Sequence, residues 1–225
     1  MIYLLSGAPG AGKGTQSDML VEHLGFRKMS TGDALRDCAK EATELGARVA
    51  AIMNKGEFVA DDLLFDIVAA GLDKFAREHG NGGNSGDAPL KVVLDGYPRN
   101  INQAEALSSL SDKYPVMRYV LLQIDHEHSI SRAVGRVICG ACRAIYHRDT
   151  NPPQQENRCD GCGGQLVQRG DDVRASLEKR LTIYKRETEP LIAYYRERDK
   201  LAEVNADRSV EQVFADIKEL VLQDA

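Results

Sequence analysis

Gly7-Ala8-Pro9-Gly10-Ala11-Gly12-Lys13-Gly14-Thr15 stands near the start of a 225-residue chain, and its reading decides the fold. Ile2-Tyr3-Leu4-Leu5 precedes it, a short apolar run of the kind that forms a buried strand. Met19, Leu20 and Leu24 follow at helical spacing within Gln16 to Leu24. A strand, a glycine-rich loop and a helix opened by a lysine make a phosphate-cradling loop. Glycines let successive backbone N–H groups turn inward on an anion. The helix N-terminus adds partial positive charge, and Lys13 adds a full one. The residues that would touch a nucleotide are Gly10, Ala11, Gly12, Lys13, Gly14 and Thr15. The position after Lys13 is Gly14, and the hydroxyl comes one residue later at Thr15. Direct capture of magnesium by the first hydroxyl is therefore not assured. A strand-to-helix turn that merely happens to be glycine-rich is the plainer alternative, and the spacing and flanking elements weigh against it.

Hydrophobic residues make up 43% of the chain and charged residues 28%, as in ordinary globular proteins. The length suits one sizeable α/β core with an insertion. A net charge of −5 argues against a dedicated nucleic-acid surface. No apolar run approaches the roughly 20 residues of a membrane span. The first strand begins at once and leaves no room for a leader peptide, so a cytoplasmic location is expected.

Five cysteines fall into a pattern: Cys139 and Cys142, then Cys159 and Cys162, with Cys38 apart. Two C-x-x-C pairs separated by sixteen residues carry the spacing of a tetrahedral zinc site. Four thiolates would close the metal's shell, which makes the site structural. Free thiols, disulfides and iron are the alternatives. A unit of about 30 residues buries little apolar core, and a metal staple substitutes for one.

Along the chain, Phe26 to Met29 reads as a second strand, and Ser30-Thr31-Gly32-Asp33 as the cap of a helix carrying Leu35 and Arg36. Gly46 to Lys55 and Leu63 to His79 read as helices. Gly80 to Pro89 is a glycine-rich surface connection. Lys91 to Asp95 is a strand ending in an acid, where open parallel sheets bind ligands. Arg118 to Ile124 is another strand, and Ser129 to Ile138 a helix. Cys139 to Val167 reads as an inserted unit, after which Asp171-Asp172 opens a long helix that Pro190 restarts or kinks. Leu201 to Val204 and Val210 to Leu222 close the chain as strand and helix. Strands alternating with helices argue a parallel sheet with helices on both faces.

Four blocks now stand in order: Gly7 to Thr15; Ser30 to Asp33 with Arg36; Asp95-Gly96-Tyr97-Pro98-Arg99 with Gln103; and Arg132 to Arg136 before the cysteines. Together they resemble the adenylate kinases, of the long type with a zinc-binding lid, over nearly the whole chain. The glycine loop alone marks only a wider superfamily. The Asp-Gly-Tyr-Pro-Arg block narrows it to nucleoside monophosphate kinases, and the cysteine lid to adenylate kinases. The implied fold is a P-loop NTPase-like α/β sheet with two insertions. The core is residues 1–29, 62–136 and 169–225, the AMP-binding subdomain 30–61, and the zinc lid 137–168.

The resemblance implies reversible phosphoryl transfer from MgATP to AMP, giving two ADP, by a monomer. Such transfer needs positioning and charge neutralisation more than covalent help, and arginines match phosphate oxygens with fixed charge and a planar fork. By similarity, Arg36 and Arg99 hold the AMP phosphate. Arg132, Arg136, Arg169 and Arg180 surround the ATP phosphates and the transferring group, with Lys13, Arg132, Arg169 and Arg180 as catalytic residues. Asp95 orients magnesium through water. Thr31, Val59, Gly96 and Gln103 match the AMP pocket, and Gly56 to Val59 the segment against its base. Arg169 and Arg180 also reach AMP in this likeness. Arg208 lies in the loop that touches the ATP adenine through its backbone. Asp171 and Asp172 either cap the long helix or tie the lid to the core.

An NTP hydrolase and a nucleic-acid-binding knuckle are the readings from other classes. A guanine-specific Asn-Lys-x-Asp motif is missing: Asn54-Lys55-Gly56-Glu57 fails at its last position. The acidic balance and the lack of an aromatic-basic stripe weigh against nucleic acid. Uridylate and cytidylate kinases share much of the constellation but have a short lid without cysteines.

Overall fold

The computed structural model describes residues 1–40, 42–54, 59–81 and 89–224. Gly56 to Phe58 and residues 82–88 of the glycine-rich connection lie outside the described residues.

Five strands form one parallel sheet: β1 (Ile2–Gly7), β2 (Arg27–Ser30), β3 (Val92–Asp95), β4 (Val116–Gln123) and β8 (Leu201–Asn205), in the order β2-β3-β1-β4-β8. Alternation along β1 feeds two cores. Ile2 and Leu4 face one side with Val92, Leu94, Tyr119 and Leu121. Tyr3 and Leu5 face the other with Val93, Val120 and Leu122. The first side is covered by α4 (Asp61–Asn81), α5 (Ile101–Ser108) and α8 (Pro190–Arg196), through Val68, Leu72, Leu107, Leu191 and Tyr195. The second is covered by α1 (Lys13–Leu24) and α9 (Val210–Gln223), through Leu20, Val213, Phe214 and Ile217. A strand buried on both faces reads as a continuous apolar run, as Ile2 to Leu5 does.

α2 (Thr31–Cys38) starts where β2 ends, and the Ser30 side chain accepts from the Asp33 backbone N–H at its start, as expected of that block. α3 (Glu44–Asn54) follows. α6 (His126–Val134) is capped by Asp125, which accepts from Glu127 and His128.

The expected helix from Ser129 to Ile138 is corrected here. It stops at Val134, and Arg136–Cys139 is strand β5, flanked by β6 (Ile145–His147) and β7 (Leu166–Val167) in an antiparallel sheet. The break is at Gly135, where a Cβ would lie 2.3 Å from Nε2 of His147. The glycine lets β6 close in, and pairing with two strands outweighs the helical periodicity of Ile130, Ala133 and Val137.

The helix expected from Asp171-Asp172 starts later, as α7 (Arg174–Ile183), with Val173 at its cap position and no side-chain cap. Neither acid caps it. After α7 a π-helical turn spans Tyr184–Thr188, and the Glu189 N–H reaches back to the Tyr184 carbonyl at 3.1 Å. Pro190 then opens α8, the restart its missing N–H imposes.

Candidate active site

The strands β1, β2 and β3 end side by side at Gly7, Ser30 and Asp95, so their carboxyl edge gathers the loops around one crevice. The glycine loop is held tightly there. Gly7, Gly10 and Gly12 have φ of +142°, +87° and +95°, values L side chains rarely adopt. A Cβ on Gly10 would meet the Ser129 carbonyl at 2.2 Å, so the loop backbone lies against α6. Gly12, at the N-terminus of α1, would meet nothing within 4 Å. Lys13 folds over the loop, donating from Nζ to the Gly7 carbonyl at 2.7 Å and the Ala8 carbonyl at 2.9 Å. Burial pushes its pKa down to about 7; the Asp95 carboxylate opposes this, while Arg99, Arg180 and Arg136 reinforce it. Ala11 is buried in the loop, and Thr15 is in the first turn of α1.

Gly14 stands where a hydroxyl-bearing residue was the general expectation. A Cβ there would stand 3.0 Å from Cδ1 of Ile145, on β6, so the cysteine-bearing unit is folded down onto the loop. The same Cβ would lie 3.7 Å from Asp95 Oδ2. Asp95 therefore faces Lys13 and the loop. Among the described residues no protein donor occupies its carboxylate.

On the other side is a pocket lined by Thr31, Leu35, Arg36, Val59, Leu64, Arg99 and Arg180. Thr31 is buried and donates to the Gly96 carbonyl at 3.1 Å. Arg99 donates from Nε to the same carbonyl at 2.7 Å. Burial pushes Arg99 down to about 10, with Arg180 as the next contributor. Arg36 donates to Asp33 at 2.5 Å. Gln103 lies beneath this pocket rather than on its wall, 1% exposed. Its Oε1 accepts from the Arg99 N–H at 2.7 Å, and its Nε2 donates to Asp61 at 2.5 Å.

Between loop and pocket stand the remaining guanidinium groups. Arg136 donates to both oxygens of Asp172, at 2.8 and 2.5 Å. Arg180 donates to Asp171 at 2.8 Å. Arg169 lies 3.9 Å from Asp33, and its buried Nε has no partner among the described residues. Burial brings Arg169 down to about 10, with Arg136 and Arg36 adding to the fall. Burial also lowers Arg180. Lys13, Arg36, Arg99, Arg136, Arg169 and Arg180 thus crowd one crevice, more cations than the carboxylates of Asp33, Asp95, Asp171 and Asp172 offset. Such a crevice attracts polyanions strongly. Arg132 stands apart: its Nη1 donates to the Ala206 carbonyl at 2.7 Å and its Nη2 to that of Arg208 at 3.4 Å. It braces the loop before α9. Arg208 turns its guanidinium away to Asp216 and the Asn205 carbonyl.

The four cysteines expected to share a metal do converge. Their sulfurs all lie within 4.8 Å of one another, with Cys139–Cys162 at 3.4 Å and Cys142–Cys159 at 3.5 Å. A disulfide needs about 2.05 Å. Tetrahedral zinc at about 2.3 Å places its sulfurs about 3.8 Å apart. The geometry is that of a metal-holding cluster.

Three residues at the crevice were not singled out from sequence: Asp33 as an arginine partner, Ile145 and Arg143. The spacing of Asp33 and Arg36, three apart on one helix, was a readable signal. Ile145 and Arg143 carry none, because their place depends on how the cysteine unit folds back.

A family model described as adenylate kinase matches residues 5–200. This chain belongs to the adenylate kinase family. An adenylate kinase of Methanosarcina acetivorans is 39% identical over the whole of both chains. One from Bacillus pumilus is 40% identical over 98% of each, and one from Bacillus subtilis 38% over 98% of each. Membership makes the chain a nucleoside monophosphate kinase, moving a phosphoryl group reversibly from ATP to AMP to give two ADP. Adenylate kinases use magnesium with ATP, and among the described residues no helix is long and apolar enough to cross a membrane.

Proposed function

We propose that the two nucleotides meet end to end in this crevice, ATP over the glycine loop and AMP in the Thr31–Arg99 pocket. The observation that carries the reading is the convergence of Lys13 and five arginines between the two. Two phosphate chains repel each other, and no arrangement of the bare site is as comfortable electrostatically as one filled with anions.

In this reading Gly10 to Thr15 wrap the β- and γ-phosphates with backbone N–H groups, and Lys13 leaves the Gly7 and Ala8 carbonyls to donate to phosphate. Arg36 and Arg99 hold the AMP phosphate. Arg136, Arg169 and Arg180 stand over the transferring group, and the open Nε of Arg169 supports that role. Arg132 serves ATP through the loop it braces at Ala206 and Arg208, beside the adenine. Asp95, whose carboxylate meets no protein donor among the described residues, holds the water shell of the magnesium that arrives with ATP. That ion neutralises charge on the phosphates.

Gln103 reads the AMP base with the one N–H and one lone pair that Asp61 and the Arg99 N–H leave over. Reaching it requires the pocket floor to part. Thr31, Val59 and Gly96 complete the wall.

Cys139, Cys142, Cys159 and Cys162 hold zinc, whose part is to fold residues 137–168 as a lid. Residues 30–61 form the second flap, and the rest is the core. Transfer needs water excluded from the γ-phosphoryl group, and Ile145 over Gly14 supports a lid that shuts on the loop.

The test is ADP formation from MgATP with AMP, GMP, CMP and UMP in turn. AMP is expected to be the sole efficient acceptor; comparable rates with CMP or UMP, or phosphate release without any acceptor, would overturn the reading. A mimic with two adenosines joined through five phosphates is expected to inhibit and to raise the melting temperature.

A further inference from the structure

The two cysteine knuckles share one backbone path but not one residue type. In the second, the Gly163 N–H donates to the Cys159 carbonyl at 2.8 Å, and Gly163 has φ +71°. In the first, the Arg143 N–H donates to the Cys139 carbonyl at 3.0 Å, and Arg143 has φ +66°. Glycine is what this turn asks for, because an L side chain in the left-handed region crowds its own backbone. The first knuckle carries the longest cationic side chain there instead. Strain of this kind persists where something else makes use of the side chain.

The Arg143 side chain crosses the crevice. Its Nη2 donates to Asp37, and its Nη1 lies 3.4 Å from Oδ1 of Asp33. Both acids are on α2, in the opposite flap. The Asp33 Oδ1 atom is also the acceptor for Arg36. One carboxylate oxygen therefore joins a lid residue to the arginine that faces the AMP pocket.

We propose that Arg143 is a positioning residue for AMP: with the lid shut, it docks on Asp37 and Asp33, holds α2 in place, and so sets Arg36 for the AMP phosphate. The inference rests on Arg36 as an AMP ligand and on 137–168 as a lid. Its consequence is coupling between the two substrates. Lid closure over ATP improves the grip on AMP, and by linkage AMP improves the grip on ATP by the same factor. The side chains of Arg143 and Asp37 are 37% and 55% exposed, so the effect is modest and weakened by salt.

The variant that tests this is Arg143→Gly, which places in the first knuckle the residue the second already uses. Metal-loaded, full-length protein is assayed for the KM of AMP at saturating MgATP. AMP binding is measured with and without a non-hydrolysable β,γ-imido ATP analogue. The expected result is a KM for AMP raised about three- to fivefold, the scale of a partly exposed ion pair. AMP affinity without the analogue stays at its wild-type value, the gain on adding the analogue shrinks by the same factor, and the melting temperature does not fall. Asp37→Ala gives the same pattern from the other flap, and the reversed pair Arg143→Glu with Asp37→Arg restores most of the coupling. At 0.5 M salt the wild type loses its advantage. Unchanged coupling in both Arg143→Gly and Asp37→Ala overturns the proposal, as does a loss of AMP affinity that is equal with and without the analogue. Arg36→Lys separates the two layers. If it raises the KM for AMP while Arg143→Gly does not, only this inference falls; if it too leaves AMP untouched, the placement of AMP falls with it.

Discussion

Arg136, where the chain enters the cysteine unit, donates to both carboxylate oxygens of Asp172, where the chain leaves it, and Asp172 is 0% exposed. The pair ties together the two ends of an insertion whose own core is five buried residues, two of them cysteines. Gln168 adds to the tie, donating to the Val134 and Asp172 carbonyls at 3.0 and 3.1 Å. Neither acid caps the helix, and Asp172 closes the neck of the unit with Arg136. Asp171 instead pairs with Arg180.

Breaking that pair strands a charge. Asp172→Ala is expected to destabilise the protein by about 3–5 kcal/mol, because Arg136, largely buried, is left without its carboxylate. Asp171→Ala, at a partly exposed acid that Arg180 reaches at one oxygen, is expected to cost under about 2 kcal/mol. Urea unfolding of the two variants measures the difference. A loss below about 1 kcal/mol for Asp172→Ala would mean that the bidentate pair does not hold the hinge.

Lys13 makes a proton a participant in nucleotide binding. With its pKa pushed down to about 7 by burial, most of it is neutral at pH 8 in the empty site. Phosphate oxygens favour the charged form and raise the pKa well above 8. Binding should therefore take up a proton. At pH 8 the uptake from this group approaches about 0.9 of a proton, and affinity weakens as pH rises beyond 7. The sign follows from which state holds the proton: the filled site does, so raising pH works against filling it. Calorimetry of the two-adenosine mimic in buffers of differing ionisation heat reads the proton count directly. Lys13→Met should abolish the uptake together with turnover while leaving the fold intact. A wild-type count near zero at pH 8 would show that Lys13 is charged before the nucleotide arrives.

The metal's contribution should be to stability before it is to chemistry. One zinc per chain is expected, held by four thiolates, and cobalt in its place should give the absorption of a tetrahedral thiolate site. Stripping the metal, or Cys142→Ser, should lower the melting temperature by on the order of 10 °C. Activity at low temperature should fall much less, because the four sulfurs gather on one another and make a closed, structural cluster. A metal-free protein that melts where the loaded one does would remove the structural role.

The parts of this site legible in the sequence are those whose geometry is local. The glycine loop, the Ser30 cap with its reach to Asp33, and the strand ending in Asp95 each follow from residues a few positions apart. The cysteine spacing belongs with them, since two tight turns bring the four sulfurs together. What was misread depends on partners distant in sequence. Val137 and Ile138 continue the helical pattern of α6, and only pairing with Ile145, Tyr146 and Val167 makes them strand. Gly135 was the one local warning. For Asp171 and Asp172 the sequence left cap and tie both open, and only the places of Arg136 and Arg180 make them ion-pair partners. Gln103 shows the same limit: its type was readable, its burial above Asp61 was not.

The loop's glycines are not equivalent, and the difference is measurable. Gly10 and Gly12 have similar positive φ, +87° and +95°, so replacing either by alanine carries the same backbone strain, about 1–2 kcal/mol. Their surroundings differ. The new methyl at Gly12 would meet nothing within 4 Å, whereas at Gly10 it would sit 2.2 Å from the Ser129 carbonyl, a backbone atom fixed in α6. Gly12→Ala should therefore cost no more than the strain. Gly10→Ala must push the loop off α6, breaking the Ser129 hydroxyl's bond to the Pro9 carbonyl, and should cost at least about 2 kcal/mol beyond it. Thermal unfolding of the two variants without nucleotide isolates this from any effect on phosphate binding. Equal melting temperatures would mean the loop can lift from α6 without cost, and the close packing of loop on helix would then not be what fixes the cradle.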